Sequence, residues 1–264
     1  MKKSLITLFL ITSVLAFSEI NVKKVPYENM IKSDDGIIFV EGDSAPYTGI
    51  IEKKSADGRV ESTISIKDGK LEGIERNYFP NGKLKSEQNF SMGALNGPAK
   101  YFFESGKIYI ISNYKNDTLD GKLTEYQEDG KVLQELLYEA NQLSGLIKLY
   151  RDGHLEFETQ YANNEKNGLS KKYYPNGRLL SEVTFKDGKE IGILKGYSQT
   201  GKLQGEIPYN NGVIEGIVKV YYENGKVQEE STYKNGMKNG ITKFYDENGN
   251  FLKQANFVDD KQVD

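Results

Sequence analysis

The only histidine in the chain, His154, directly follows Gly153 in a stretch of turn formers, and there is no cysteine. A lone imidazole without a thiol cannot build a soft metal site, and no serine, threonine or lysine has a histidine partner to activate it as a nucleophile. The pairs Asp34-Asp35 and Asp259-Asp260 are the remaining candidates for calcium, but neither has the ligand spacing of a calcium loop, so each reads as a solvated charge pair. Glycoside cleavage needs two carboxyl groups about 5–10 Å apart across a cleft. The glutamates Glu87, Glu135, Glu158, Glu182, Glu206 and Glu230 instead recur at one phase of a period, which suits the surface of a sheet better than a unique active site. The expected catalytic and metal sets are therefore empty, no cofactor is implied, and an enzyme is not expected. Tyrosines remain, because rings on a flat surface can stack on sugars or anchor a protein. Those at strict phase, Tyr126, Tyr150, Tyr173, Tyr197, Tyr221 and Tyr245, read as packing between neighbours. Tyr101, Phe103, Tyr174 and Tyr222 lie outside that column, are expected to be exposed, and are the first interface candidates.

The phase comes from a repeat. Gly49, Gly73, Gly97, Gly121, Gly145, Gly168, Gly192, Gly216 and Gly240 recur every 24 residues, with one interval of 23 from Gly145 to Gly168. The leading glycines define nine units over residues 49–264. Nine residues into nearly every unit stands a second glycine, usually after Asn or Asp, as in Asn81-Gly82, Asn176-Gly177 and Asn224-Gly225; Gly153 comes one position early in the short unit. Such dipeptides tolerate the positive φ of tight hairpins. A further turn cluster, such as Lys186-Asp187-Gly188 or Lys234-Asn235-Gly236, separates successive hairpins, so each unit reads strand, turn, strand, turn. An aromatic ring stands five residues after most leading glycines, with Lys54 in its place in the first unit. An aliphatic or aromatic residue follows the turn by two (Leu84, Leu155, Leu179, Leu203), and six further on comes a ring or β-branched residue (Ile66, Phe90, Tyr114, Phe185, Tyr233).

Two registers compete within the hairpin. A two-residue turn pairs lysines such as Lys195 and Lys219 with Glu206 and Glu230, whereas a three-residue turn with a glycine bulge pairs the Tyr column with the Leu column on one buried face. Exposed ion pairs contribute roughly 0.2–1 kcal/mol and a buried large apolar side chain about 1.5–3, so the apolar register is favoured and the two are expected to be exclusive. One hairpin is too small to be stable alone; tandem copies share strand pairing, which predicts an all-β fold, an elongated single-layer antiparallel sheet of tandem β-hairpin repeats. Residues 19–48, with the strand-like Ile37-Ile38-Phe39-Val40, are expected to cap one end and Asp259-Asp260-Lys261 to blunt the other.

Lys2 and Lys3 precede an apolar run from Leu5 to Phe17, and Ala16 and Ser18 are placed like small residues before a cleavage site. Residues 1–18 therefore read as a signal peptide, and the chain as exported to the periplasm, cell surface or medium. Removal of Lys2 and Lys3 takes the basic count from 35 to 33 against 38 acidic residues, a change in net charge from −3 to −5. That acidity argues against nucleic acid, and weighs against anionic lipid, as the main partner. With 37% hydrophobic residues and no disulfides, stability must come from packing and backbone pairing.

Units such as Gly168-Leu-Ser-Lys-Lys-Tyr-Tyr-Pro-Asn-Gly and Gly216-Ile-Val-Lys-Val-Tyr-Tyr-Glu-Asn-Gly resemble the bacterial variant of the MORN repeat, and Pro46-Tyr47-Thr48-Gly49 resembles that family's opening. The departures are Lys54, the short Gly145 unit and Pro208 within a strand. The resemblance implies a non-catalytic module forming an extended antiparallel sheet, and a role in protein–protein contact at the cell envelope or with a host. It also implies two alternatives, membrane-surface association, for which Lys166, Lys171 and Lys172 are available, and an antitoxin-like neutralising partner. Fold is transmitted by such a family more faithfully than biochemical role.

Overall fold

The computed structural model describes residues 23–263, so the signal-peptide reading of residues 1–18 lies outside the described residues. Apart from one turn of 3-10 helix at Tyr27–Asn29, the described elements are strands. Strands β1 (Lys24–Pro26), β2 (Met30–Lys32) and β3 (Ile38–Val40) precede the first leading strand, β4 (Gly49–Lys54). From there each unit supplies a leading strand and a returning strand, as in Glu165–Tyr173 and Leu179–Lys186, through to Met237–Tyr245 and Phe251–Val258, followed by Lys261–Val263. Every returning strand pairs antiparallel with its own leading strand and with the next one, giving one open 23-stranded sheet. Among the described residues the single parallel contact is that of β1 beside β4, with Val25 opposite Ile51.

Residues 24–48 close over the first unit. β2 and β3 form a small separate hairpin, and Val25, Ile38, Val40 and Tyr47 are buried together with Ile51 and Ile66. The Tyr47 hydroxyl donates to the Lys23 carbonyl (2.8 Å), which ties the cap to the opening of the Gly49 unit.

The turns between units have two residues, both at positive φ, as at Asp187 (48°) and Gly188 (75°). They are the primed turns whose twist matches that of the strands. The turn inside each hairpin differs. In the Gly168 unit Tyr174 N–H donates to the Arg178 carbonyl and Gly177 N–H to the Tyr174 carbonyl (2.8 and 2.9 Å), leaving a three-residue loop in which only Gly177 has positive φ (80°). Asn176 contributes through its side chain, whose Oδ1 accepts the Arg178 N–H at 3.0 Å. The short Gly145 unit instead closes with the two residues Asp152 and Gly153, both at positive φ (52° and 84°), between the paired Arg151 and His154.

The two registers proposed for the hairpin coexist, which corrects the expectation that they exclude each other. Lys171 pairs with Glu182 and, beyond a bulge between Lys172 and Tyr173, Tyr173 pairs with Leu179. The extra residue of the bulged strand absorbs the mismatch and brings the ion pair and the apolar pair onto one face. That face is not the more buried one. The opposite face holds the buried Ala99, Ser112, Ile147, Thr159, Val183, Phe185, Ser231 and Thr242. There the ring column lies across from the leading glycines, with Phe185 opposite Gly168 and Tyr233 opposite Gly216. We refer to this as the ring face and to the other as the ladder face. Small hydroxyl pairs fill the space between rings, with Thr159 and Ser170 oxygens 2.8 Å apart and those of Ser231 and Thr242 3.0 Å apart.

Leading glycines are required for more than the facing ring. Gly168 sits in a second bulge at φ 117°, and a Cβ there would lie 2.8 Å from Cβ of Gln160 in the preceding unit. Pro208, a departure from the repeat, lies opposite Ile193, and its carbonyl accepts the Glu215 N–H at 3.1 Å.

Candidate protein-binding face

Alternation along each strand sends positions one, three and five after the leading glycine to the ladder face. The third position joins the glutamate column in one unbroken line across the sheet. In successive strands stand Glu135, Lys148, Glu158, Lys171, Glu182, Lys195, Glu206, Lys219, Glu230 and Lys243, each directly opposite the next. Lys171 Nζ lies 3.5 Å from Glu158 and Lys219 Nζ 3.7 Å from Glu230.

Fifth-position tyrosines lock onto this line. Tyr173 donates its hydroxyl to Glu158 (2.5 Å), Tyr197 to Glu182 (2.9 Å), Tyr221 to Glu206 (2.8 Å), and Tyr150 and Tyr245 to Glu135 and Glu230 (3.2 Å each). Each bond joins one unit to the unit before it. Burial, reinforced by the adjacent glutamates, pushes the Tyr197 and Tyr221 phenols up to about 12 and raises that of Tyr173 further. The glutamate column is thereby engaged in lysines and phenols, as a structural sheet surface would be.

The first position is different. Leu146, Leu169, Ile193, Ile217 and Ile241 form a column of aliphatic side chains that remain 38 to 52% exposed in the middle of the ladder face. Their cross-strand neighbours Gln160, Thr184, Pro208, Thr232 and Asn256 are smaller or polar and do not cover them. The units led by Gly97 and Gly121 carry Pro98 and Lys122 at this position, and Ile50 and Ile74 of the first two units are half-buried, so the exposed column belongs to the later part of the sheet. A row of aliphatic side chains left in solvent at this spacing is the candidate interaction surface.

The rings expected to be exposed are not, which corrects that reading. Tyr101, Phe103, Tyr174 and Tyr222 are all half-buried. Tyr174 and Tyr222 donate their hydroxyls to the carbonyls of Tyr197 and Tyr245 in the next units (2.8 Å each), and the Phe103 and Tyr109 ring centres are 4.9 Å apart. Tyr101 sits on the ring face, its oxygen accepting from Gln88 (2.9 Å), and burial beside Tyr114 pushes its phenol up to about 12. Tyr174 and Tyr222, which resemble free hooks at the turn tips, are in fact staples between hairpins.

A second set of staples went unnoticed in the sequence. The residue after each turn glycine is usually cationic and caps the carbonyls of the next tip: Lys83 reaches the Ser105 oxygen (2.7 Å), Lys107 that of Glu128 (2.8 Å) and Arg178 that of Gln199 (3.0 Å). The signal was the recurrence of Lys or Arg after Asn-Gly and Asp-Gly. His154 occupies that place in the short unit, at the edge of a 160 Å³ notch beside Tyr173, Tyr174 and Pro175. Asp259 and Asp260 form a turn and accept from Asn239 Nδ2 and Lys238 N–H (3.0 and 2.7 Å), while a Ser33 hydrogen bond holds the Asp35 carboxyl below its usual value. Among the described residues no cluster of His, Cys, Asp and Glu is arranged to hold a metal.

Comparison with known proteins agrees with this geometry. The model of the MORN repeat variant family matches residues 71–92, 95–116, 119–140, 166–187, 190–211, 214–235 and 238–259. Each match spans one hairpin, and the units it leaves out are those led by Gly49, with Lys54 in place of the ring, and by Gly145, with the shortened turn. No curated protein matches the chain. A chain in the crystal structure titled TcdB2-TccC3-Cdc42 is similar at 12% identity over 84% of this chain, but this chain spans 15% of that one and the TM-score is 0.15, so the likeness supports no argument. With repeats of a non-catalytic type covering more than half of its length, the chain belongs to the MORN repeat variant family, whose repeats are protein- or membrane-binding modules.

Proposed function

We propose that this chain is an exported, non-catalytic scaffold that binds protein at the cell envelope or on a host through the ladder face of the units from Gly145 onward. The observation that carries this reading is the exposed column Leu146, Leu169, Ile193, Ile217 and Ile241, flanked by a charged line that can set the register of a partner. Export is supported by the sequence of residues 1–18. The test is capture of envelope and host-surface proteins by the wild-type chain and by an Ile193→Lys/Ile217→Lys variant with unchanged strand content. A protein retained by the first and lost by the second is expected; equal capture by both would refute the assignment to this face.

Association with a membrane surface is the second reading. The ring face places Lys166 over Phe185 (4.8 Å), Lys172 over Phe157 (4.9 Å) and Lys238 over Phe257 (5.5 Å), an arrangement of cations on rings compatible with a headgroup layer. The net charge of −3 opposes it. Salt-sensitive sedimentation with anionic liposomes would favour this reading over the first.

A further inference from the structure

The ladder face is complementary to itself, and we infer that the partner seated on it is a second copy of this chain. This deepens the assignment of that face as a binding surface and rests on it. Two independent columns of the face lead to the same arrangement.

In the first column, aliphatic residues alternate with small or polar ones. Ile193 stands beside Pro208 and Ile217 beside Thr232, so knobs recur every second strand, at intervals of about 10 Å. In the second column charges alternate strand by strand from Glu135 to Lys243. Consider two copies related by a two-fold axis parallel to the strands and lying between a leading and a returning strand. That operation turns the faces toward each other, reverses the order of the units and keeps each level along the strand opposite the same level. It also offsets the copies by half a unit, so a leading strand of one meets a returning strand of the other. With the axis between the Ile193 and Pro208 strands, Ile193, Ile217 and Leu169 rest over Pro208, Thr184 and Thr232 of the second copy, and Ile241 and Leu146 over Gln160 and Asn256. The same offset sets Lys195, Lys219, Lys171 and Lys243 against Glu206, Glu182, Glu230 and Glu158 of the second copy.

A slip of one strand destroys both relations together, since it sets lysine on lysine and aliphatic knob on aliphatic knob. The face therefore specifies its register by repulsion as well as by fit. Only a partner with the same two-strand period stays in step along the whole column, and a copy of this chain has that period by identity. Twisted sheets pack face to face within about 30° and about 10 Å apart. Over the units from Gly145 to Gly240 the strip measures about 50 Å by about 17 Å, near the roughly 800 Å² per partner of a standard stable interface.

Sedimentation of the purified protein between about 1 and 100 µM tests this directly. A reversible dimer is expected, weakened at least tenfold by Ile193→Lys/Ile217→Lys. Should that variant lose its strand circular dichroism, the milder Ile193→Thr/Ile217→Thr, which suits a strand, replaces it and is expected to weaken the dimer in the same direction. A charge-reversed chain, Lys195→Glu/Lys219→Glu, is expected to associate poorly with itself and to recover association when mixed with a Glu182→Lys/Glu206→Lys chain. A wild-type protein that stays monomeric throughout, or a dimer insensitive to folded variants of the Ile column, overturns the inference. If the monomer nevertheless captures an envelope protein that the Ile193→Lys/Ile217→Lys variant loses, the binding face stands and only self-pairing fails.

Discussion

At the scale of the residue, the same side chains serve every unit, and their substitution should have effects that depend on place. Gly168 and Gly196 lie in neighbouring leading strands of the sheet. Gly168 has φ 117° and a would-be Cβ 2.8 Å from Gln160, whereas Gly196 has open space around it and no left-handed backbone. Gly168→Ala is expected to destabilise by about 1–3 kcal/mol, and Gly196→Ala to be neutral or to stabilise by up to about 1 kcal/mol, as read from urea midpoints. The tyrosines give a pH dependence. Tyr197 and Tyr221 titrate near 12 in the folded chain against an ordinary value of 10.0, so the fold favours the neutral phenol. Their contribution is complete below the unfolded value and is lost as pH rises through the folded one. Near-UV absorbance is expected to show late phenolate formation, with the thermal midpoint falling between about pH 10 and 12, and Tyr197→Phe/Tyr221→Phe should flatten that fall. Loss of stability completed below pH 10 in the wild type would contradict the phenol–glutamate ladder.

At the scale of the element, the short Gly145 unit shows what the hairpin tolerates. Its two-residue turn, Asp152-Gly153, preserves the Tyr150 to Leu155 pair that the three-residue turn of the Gly168 unit preserves between Tyr173 and Leu179. Replacing Asp152-Gly153 with Pro-Asn-Gly should therefore leave the thermal midpoint within the equivalent of about 0.5 kcal/mol, whereas Gly153→Val, at φ 84°, should cost about 1–3 kcal/mol. A large loss on grafting would mean that the turn length itself is needed. Periodic glycines made the hairpins and their tips legible in the sequence, because only certain residues accept the required φ. Faces were less legible. A bulge changes the parity of every residue beyond it, so the Lys–Glu and Tyr–Leu registers looked exclusive when Lys171 and Tyr173 in fact share a face. For the same reason the buried Ser231 and Thr242, polar by type, gave no sign that their face is the more enclosed one.

At the scale of the whole molecule, the two ends and the two faces are unequal. One end is closed by Val25, Ile38, Val40 and Tyr47 over Ile51, while at the other Phe251, Leu252 and Val258 remain exposed on the final hairpin. The ring face takes the small residues and the rings, and the ladder face keeps an aliphatic column in solvent through the later units. Sequence reading located the binding surface in the rings outside the tyrosine column; it could not see that Tyr174 and Tyr222 are spent on carbonyls of the next unit, because that contact spans a repeat. The ladder-face account meets its most direct test in side-chain footprinting of the intact protein across its association range. Leu146, Leu169, Ile193, Ile217 and Ile241 should be reactive at low concentration and become protected together as concentration rises, with the exposed Leu149 and Val220 of the ring face unchanged. Reactivity of the column that stays constant with concentration, or protection confined to the end hairpin, would contradict it.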